Sequence, residues 1–190
     1  PLYSSQCLAL VSIVYCMYCL PQRDDTGKVT LLRQLAWKYS LINEDSSMLF
    51  YRQSLKLAEK LDFLPGQILG LRGIEGSFGR KGMLDSSLLY LQKGLVIAQQ
   101  YGDPKHISMI YANFANFYSF HRYKPDSSLY YYDLALRTKE KNGIDYEQWY
   151  TYMGRGEVYY KLGMYEKGEA DILKALELTE TKKIRMDYGM

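Results

Sequence analysis

Glycine recurs every third residue in GLRGIEGSFGRKG, residues 70–82, and Arg80 and Lys81 stand near its end. Glycines beside cations are one way to bring backbone N–H groups against a phosphate. That chemistry needs GxxxxGK[ST], or a strand leading into the turn, and neither is present. The remaining reactive types are sparse. His106 and His121 are the only histidines, and neither has a Cys or carboxylate at metal-ligand spacing. HExxH, GxSxG and SxxK are absent. Carboxylates are scattered, with no pair set apart as acid and base. No catalytic residue, metal ligand or cofactor-binding residue is therefore assigned, and no cofactor is expected. The glycine run reads instead as a helix with a small-residue face that ends at Gly82, at a cost of roughly 1 kcal/mol per interior Gly relative to Ala.

The cysteines carry positional information. Cys7, Cys16 and Cys19 all lie in CLALVSIVYCMYCL, residues 7–20, where only Ser12 is polar, and no charge precedes Arg23. A thiol nucleophile in the rest of the chain is thereby excluded. An apolar run of this length is short for a transmembrane helix, which needs about 20 residues. It matches the h-region of a secretory signal over residues 1–21. Removing it would leave no thiol to mispair in an oxidising compartment. A basic n-region and an A-x-A-like site are not visible, so a membrane anchor and a buried first helix remain the other readings.

What must position any site is a repeat. DSSMLFYRQSLKLAEKL opens at Asp45, DSSLLYLQKGLVIAQQY at Asp85 and DSSLYYYDLALRTKEKN at Asp126, intervals of 40 and 41 residues. A fixed period of this size marks a solenoid or array. YEKGEADILKALELTE (165–180) continues it, with the small residues Ser54, Gly94, Ala135 and Ala175 in register. Within each segment an i, i+4, i+8 stripe such as Ser47, Tyr51, Leu55 or Ser128, Tyr132, Leu136 predicts a helix. Asp45, Asp85 and Asp126 are expected to be N-caps. Before each lies a second apolar stretch: LLRQLAWKY (31–39), LGLRGIEGSF (69–78), MIYANFANFY (109–118) and YTYMGRGEVYY (150–160). Leu32, Leu71, Tyr111 and Tyr152 form one core position. Leu35, Ile74, Phe114 and Arg155 form the next, where Arg155 breaks the pattern. FLPGQ (63–67), YGDPK (101–105) and KNGID (141–145) separate the pairs. The expected fold is all-α, an α-α superhelix of about four helix pairs over 28–180, in repeats of about 28–65, 66–105, 106–145 and 146–180. Residues 181–190 read as a connection entering a further repeat that is cut short.

GRGEVYYKLGMYEKGEADILKAL, residues 154–176, resembles a tetratricopeptide repeat. Gly156, Tyr159, Gly163, Tyr165, Gly168, Ile172 and Ala175 fall at that family's characteristic positions. The period near 40, with AEKLDFLPGQ, AQQYGDPKHI and DSSLYYYDLAL, is similar to the extracytoplasmic repeat regions of bacterial sensor histidine kinases and related transcription regulators. The resemblance implies that the first helix of each pair lines a concave face. Its non-core positions there are Arg33 and Trp37, then Arg72, Gly76 and Arg80, then Asn116, then Tyr150, Met153, Glu157 and Tyr160. Arginines at one end would recognise a carboxylate, and aromatic rings at the other would supply apolar area for an extended peptide. The carboxylate clamp of cochaperone arrays is not reproduced, because Arg33 is followed one turn later by Trp37, Arg72 by Gly76, and Asn116 is preceded by Ala112.

Charge argues in the same direction. A net charge of +3, with acidic and basic residues interspersed, offers no arm for nucleic acid. The 20 tyrosines suit packed helix pairs whose rings lie in the core while hydroxyls reach water. The expected function is non-catalytic protein or peptide binding, as the sensory region of a bacterial signal-transduction protein. That region is expected on the periplasmic or extracytoplasmic side, held to the membrane through an N-terminal signal or a later transmembrane helix. A freestanding, cytoplasmic scaffold and a set of repeats regulating an attached enzyme are the alternatives.

Overall fold

The structure, a computed structural model, describes the backbone of residues 25–188 and the side chains of 25–180. The apolar segment 1–21 and its three cysteines lie outside the described residues. Among those described there are eight α-helices and no strand. They are α1 (Thr26–Tyr39), α2 (Glu44–Lys60), α3 (Leu64–Arg80), α4 (Leu84–Tyr101), α5 (Pro104–Asn116), α6 (Pro125–Lys141), α7 (Gln148–Lys161) and α8 (Tyr165–Tyr188). One π-helical turn, Phe117–His121, extends α5. The chain divides into two compact units, Pro1–Ser77 and Phe78–Met190, and the division falls in the last turn of α3.

In the first unit α1 packs on α2 through Val29, Leu32, Leu35 and Ala36 against Met48, Phe50, Tyr51 and Leu57, all buried. The glycine face of α3 is a close-contact surface. A Cβ on Gly73 would fall inside the ring of Tyr51, and one on Gly70 would press on Leu55. The helix-propensity penalty of those glycines is the cost of letting α3 approach α2.

In the second unit α5 packs on α6, α7 on α8, and α4 and α7 flank the α5–α6 pair. Three helix ends share one closure. Residues with positive φ end α3, α6 and α7 at Gly82, Gly143 and Gly163, and the next residue's N–H reaches back five positions: Met83 to Phe78, Ile144 to Lys139 and Met164 to Tyr159. This is the Schellman closure, which glycine permits without a Cβ penalty. Asp62 plays the same part in the first unit, where Phe63 N–H reaches Ala58 O.

Three sequence expectations need correction. Asp45, Asp85 and Asp126 are not N-caps. They sit in the first turns of α2, α4 and α6, whose N-cap residues are Asn43, Met83 and Lys124. Of these only Asn43 caps with its side chain, accepting from Ser46 N. The aspartates still complement the positive end of each helix. The second Ser of the motif reaches the neighbouring helix. Ser47 and Ser128 are fully buried and donate to the carbonyls of Ala36 and Ala115 near the end of the preceding helix, at 2.8 and 2.9 Å. The motif therefore bolts the two helices of a pair together. Ser54 does the same at the small-residue position, donating to Val29 O at 2.9 Å. Second, α3 begins at Leu64, so Pro65 lies inside its first turn, where its missing N–H costs nothing. Third, α8 continues unbroken to Tyr188, so residues 181–188 extend a helix instead of forming a connection.

Candidate functional site

The expected contact residues fall in both units. In the first, Arg33 and Trp37 stand one turn apart on α1; Arg33 is half-buried and Trp37 is 62% exposed. Arg72 is half-buried on α3 and has partners of its own. In the second, Arg80 ends α3, exposed and likewise engaged. Asn116 ends α5. Tyr150, Met153, Glu157 and Tyr160 follow at intervals of three and four along α7, the tyrosines exposed and the other two half-buried.

The second unit brings part of this set around one atom. Tyr132 belongs to α6 and is 1% exposed, yet its hydroxyl reaches both neighbouring first helices. It donates to Asn116 Oδ1 at 2.5 Å. On the other side it lies against Gly154 of α7, where a Cβ would overlap the phenol oxygen. Burial, followed by the nearby Tyr150 and Glu157, pushes the phenol far above its usual pKa, so Tyr132 is a neutral donor throughout the physiological range. With its carbonyl oxygen occupied, Asn116 keeps an amide N–H pair to offer. Asn116 thus bonds the Tyr132 hydroxyl, and Tyr150 and Glu157 are near enough to act on its charge. Tyr132 was legible only as a core residue; its polar end had no signal in the stripe.

Beside this cluster lies an ionic one. Arg155 replaces the apolar knob of its core position. Its Nε and one terminal nitrogen grip Asp171 of α8 at 2.7 and 2.8 Å, and the other nitrogen bonds Asp133 of α6 at 2.6 Å. Tyr152 and Tyr159 flank the guanidinium with ring centroids at 5.6 and 5.8 Å. Burial alone would lower the Arg155 pKa, but the two carboxylates outweigh it and raise it. Tyr152 donates to Glu140 at 2.6 Å, and burial first, then that carboxylate, push its pKa up to about 12. The three bonds of Arg155 join α6, α7 and α8. Asp171 at i+16 from Arg155 was the available signal, since an acidic residue on the second helix of the same pair can meet it.

His106 bonds Asp103 at 2.6 Å, and Asp103 also caps α5 by accepting from Lys105 N. Burial would raise the Asp103 carboxyl, but those hydrogen bonds and the neighbouring cations lower it below its usual value. The Asp–His pair closes on itself as a helix cap. Among the described residues no three His, Cys, Asp or Glu side chains gather to hold a metal, and no helix is long and apolar enough to cross a membrane.

No protein-family model and no curated protein matches the sequence. Solved structures do. A Rap protein complexed with competence and sporulation factor is similar with a TM-score of 0.78 at 18% identity, over 93% of this chain and 51% of that one. A Rap conjugation gene regulator in complex with a Phr peptide gives 0.75 at 17% identity, over 94% and 50%. A signal-transduction ATPase with a tetratricopeptide repeat sensor, from Pyrococcus horikoshii, gives 0.71 at 21% identity, over 95% and 29%. The chain spans about half the length of the two Rap structures and less of the ATPase. At these identities the likeness is one of fold: the chain is an all-α, tetratricopeptide-like solenoid.

Proposed function

We propose that this chain is a non-catalytic peptide-binding segment whose contacts in the second unit centre on Asn116. The observation that carries the reading is the Tyr132 hydroxyl on Asn116 Oδ1. It fixes the side-chain amide so that its N–H pair faces away, suited to a peptide carbonyl. Tyr150 and Tyr160 add exposed ring area, Met153 an adaptable apolar surface, and Glu157 an acceptor for a peptide N–H or cation. A buried, neutral phenol preorganises the amide at little entropic cost on binding. One of the similar structures holds a peptide, which supports the same use of this fold here. Within the first unit Arg33, Trp37 and Arg72 are proposed as further contacts, and Arg80 separately in the second.

The finer reading is that these repeats are the sensory region of a bacterial signalling protein on the extracytoplasmic side. The apolar residues 7–20 and the repeat-sensor ATPase among the similar structures favour it over a freestanding scaffold or repeats regulating an attached enzyme. An export reporter fused behind residues 1–30 tests location: a silent reporter removes that part and leaves peptide binding standing.

Binding itself is tested by selecting from a random-peptide phage library on the immobilised chain, then titrating the selected peptide calorimetrically. Asn116→Ala is expected to weaken it about tenfold, the worth of a hydrogen bond to a buried polar partner left unpaired. No enrichment, or wild-type affinity in both Asn116→Ala and Tyr150→Ala, would overturn the assignment.

A further inference from the structure

The third connection between paired helices departs from its siblings. Its period is 41 residues where its neighbours have 40, and the additional residue is taken up in the π-turn Phe117–His121. The closing bond shows it directly. Lys124 N–H reaches back six positions to Tyr118 O, whereas Met83 and Met164 reach back five. π-turns inside helices frequently mark functional places. The left-handed residue also changes: where α3 and α7 end with Gly82 and Gly163, this turn uses Tyr123 at φ 47°. A tyrosine there costs roughly 1–2 kcal/mol that glycine would not. A strained residue kept where glycine would serve suggests its side chain has a use.

Tyr123 lines a small cleft with Ser119, Pro125, Val158, Lys161 and Leu162. Ser119 is 8% exposed and lines this cleft. Ser47, Ser54, Ser108 and Ser128, buried serines elsewhere in the fold, each donate to a main-chain carbonyl. Lys161 has no carboxylate partner among the described residues; its ammonium rests 5.0 Å over the ring of Phe120. At the edge, α6 starts at Pro125 without a side-chain cap, so its first N–H groups add positive potential, offset in part by Asp126. The volume is about 30 Å³. One water needs about 10–15 Å³ by that measure, so two or so oxygen-sized atoms fit. Val158, Leu162 and Pro125 supply an apolar wall for what carries them.

We propose that this cleft is a carboxylate-binding site, with Ser119 and Lys161 as donors and Tyr123 as its rim, taking a carboxylate on a short aliphatic stem. It shares no residue with the Asn116 cluster and stands whether or not that cluster binds peptide. The carboxylate could belong to a free small acid or to the C-terminus of a peptide.

The test is amide NMR of the isotope-labelled chain, titrated at constant ionic strength with propionate, with propionamide as the uncharged isostere and with chloride. Saturable shifts at Ser119, Tyr123, Lys161 and Leu162 are expected for propionate alone. Lys161→Met should weaken binding about tenfold, the worth of a charged hydrogen bond, with Lys93→Met as an unaffected control. Tyr123→Gly should raise the unfolding temperature while weakening propionate. A short peptide with a free C-terminus, compared with its amide, distinguishes the sources: tighter binding than propionate assigns a chain terminus, weaker binding a free acid. Equal shifts with chloride or propionamide, or unchanged affinity in Lys161→Met, would overturn the proposal.

Discussion

Replacing Arg155 with methionine cuts the link between α6, α7 and α8 while keeping most of the apolar stem. The cost is set by what is stranded. The Asp171 side chain is 9% exposed and receives two of the three bonds from Arg155. Removing the partner of a buried carboxylate costs about 3–5 kcal/mol. The Asp133 side chain is 40% exposed and is held by one bond, so its share is at most about 1 kcal/mol. A loss of about 3–5 kcal/mol in the second unit is therefore expected, with the melting temperature falling by roughly 2–4 °C per kcal/mol for a chain of this size. The two tryptophans make the measurement selective, because Trp37 lies in the first unit and Trp149 in the second. In a Trp37→Phe background, urea unfolding followed by fluorescence reports Trp149 alone. Arg155→Met with Asp171→Leu should regain most of the loss, since no buried charge is then stranded. A single-variant loss below about 1 kcal/mol, or a double variant no more stable than the single, would refute the argument that the stranded Asp171 carboxylate sets the cost.

Further outcomes follow from single contacts. Ser128→Ala should cost about 1 kcal/mol, the worth of one buried hydrogen bond, in the same urea assay. Gly154→Ala forces the Tyr132 hydroxyl from its seat and should cost about 1–3 kcal/mol as overpacking, with weaker peptide binding because Asn116 loses its anchor. The Asp103 pKa is lowered on folding, so its contribution is present above the unfolded value of 3.8 and is lost as pH falls through the folded value. Asp103→Asn should flatten that acid limb of stability against pH. The Tyr152 pKa is raised from 10.0 to about 12, so its contribution is complete below pH 10 and is lost as pH rises towards 12. Tyr152→Phe should remove that step from the alkaline unfolding profile.

Helix identity and the buried faces were legible because a 3.6-residue period leaves its mark in apolar spacing, and the repeat multiplies that mark. Ile74, Leu91, Phe114 and Tyr132 are buried where the stripes put them. Polar residues were harder to place. Asp-Ser-Ser looks like a cap because aspartate favours caps. What the motif contributes is a buried hydroxyl one helix away, and a carbonyl eleven or thirteen residues back has no residue-type signature. Arg155 read as a defect for a related reason: an apolar template scores one position, whereas its partners sit on two other helices. The 41-residue interval was visible as a number. That one residue would become a π-turn with tyrosine in the glycine position depended on where the backbone could absorb it.

Peptide binding at the exposed face of α5 and α7 is tested most directly by amide hydrogen exchange of the chain, with and without the phage-selected peptide. The account predicts slowed exchange at the end of α5 around Asn116 and along Tyr150–Tyr160 of α7, with α4 and α8 unchanged. Protection confined to α4 or α8, or none at saturating peptide, would contradict it.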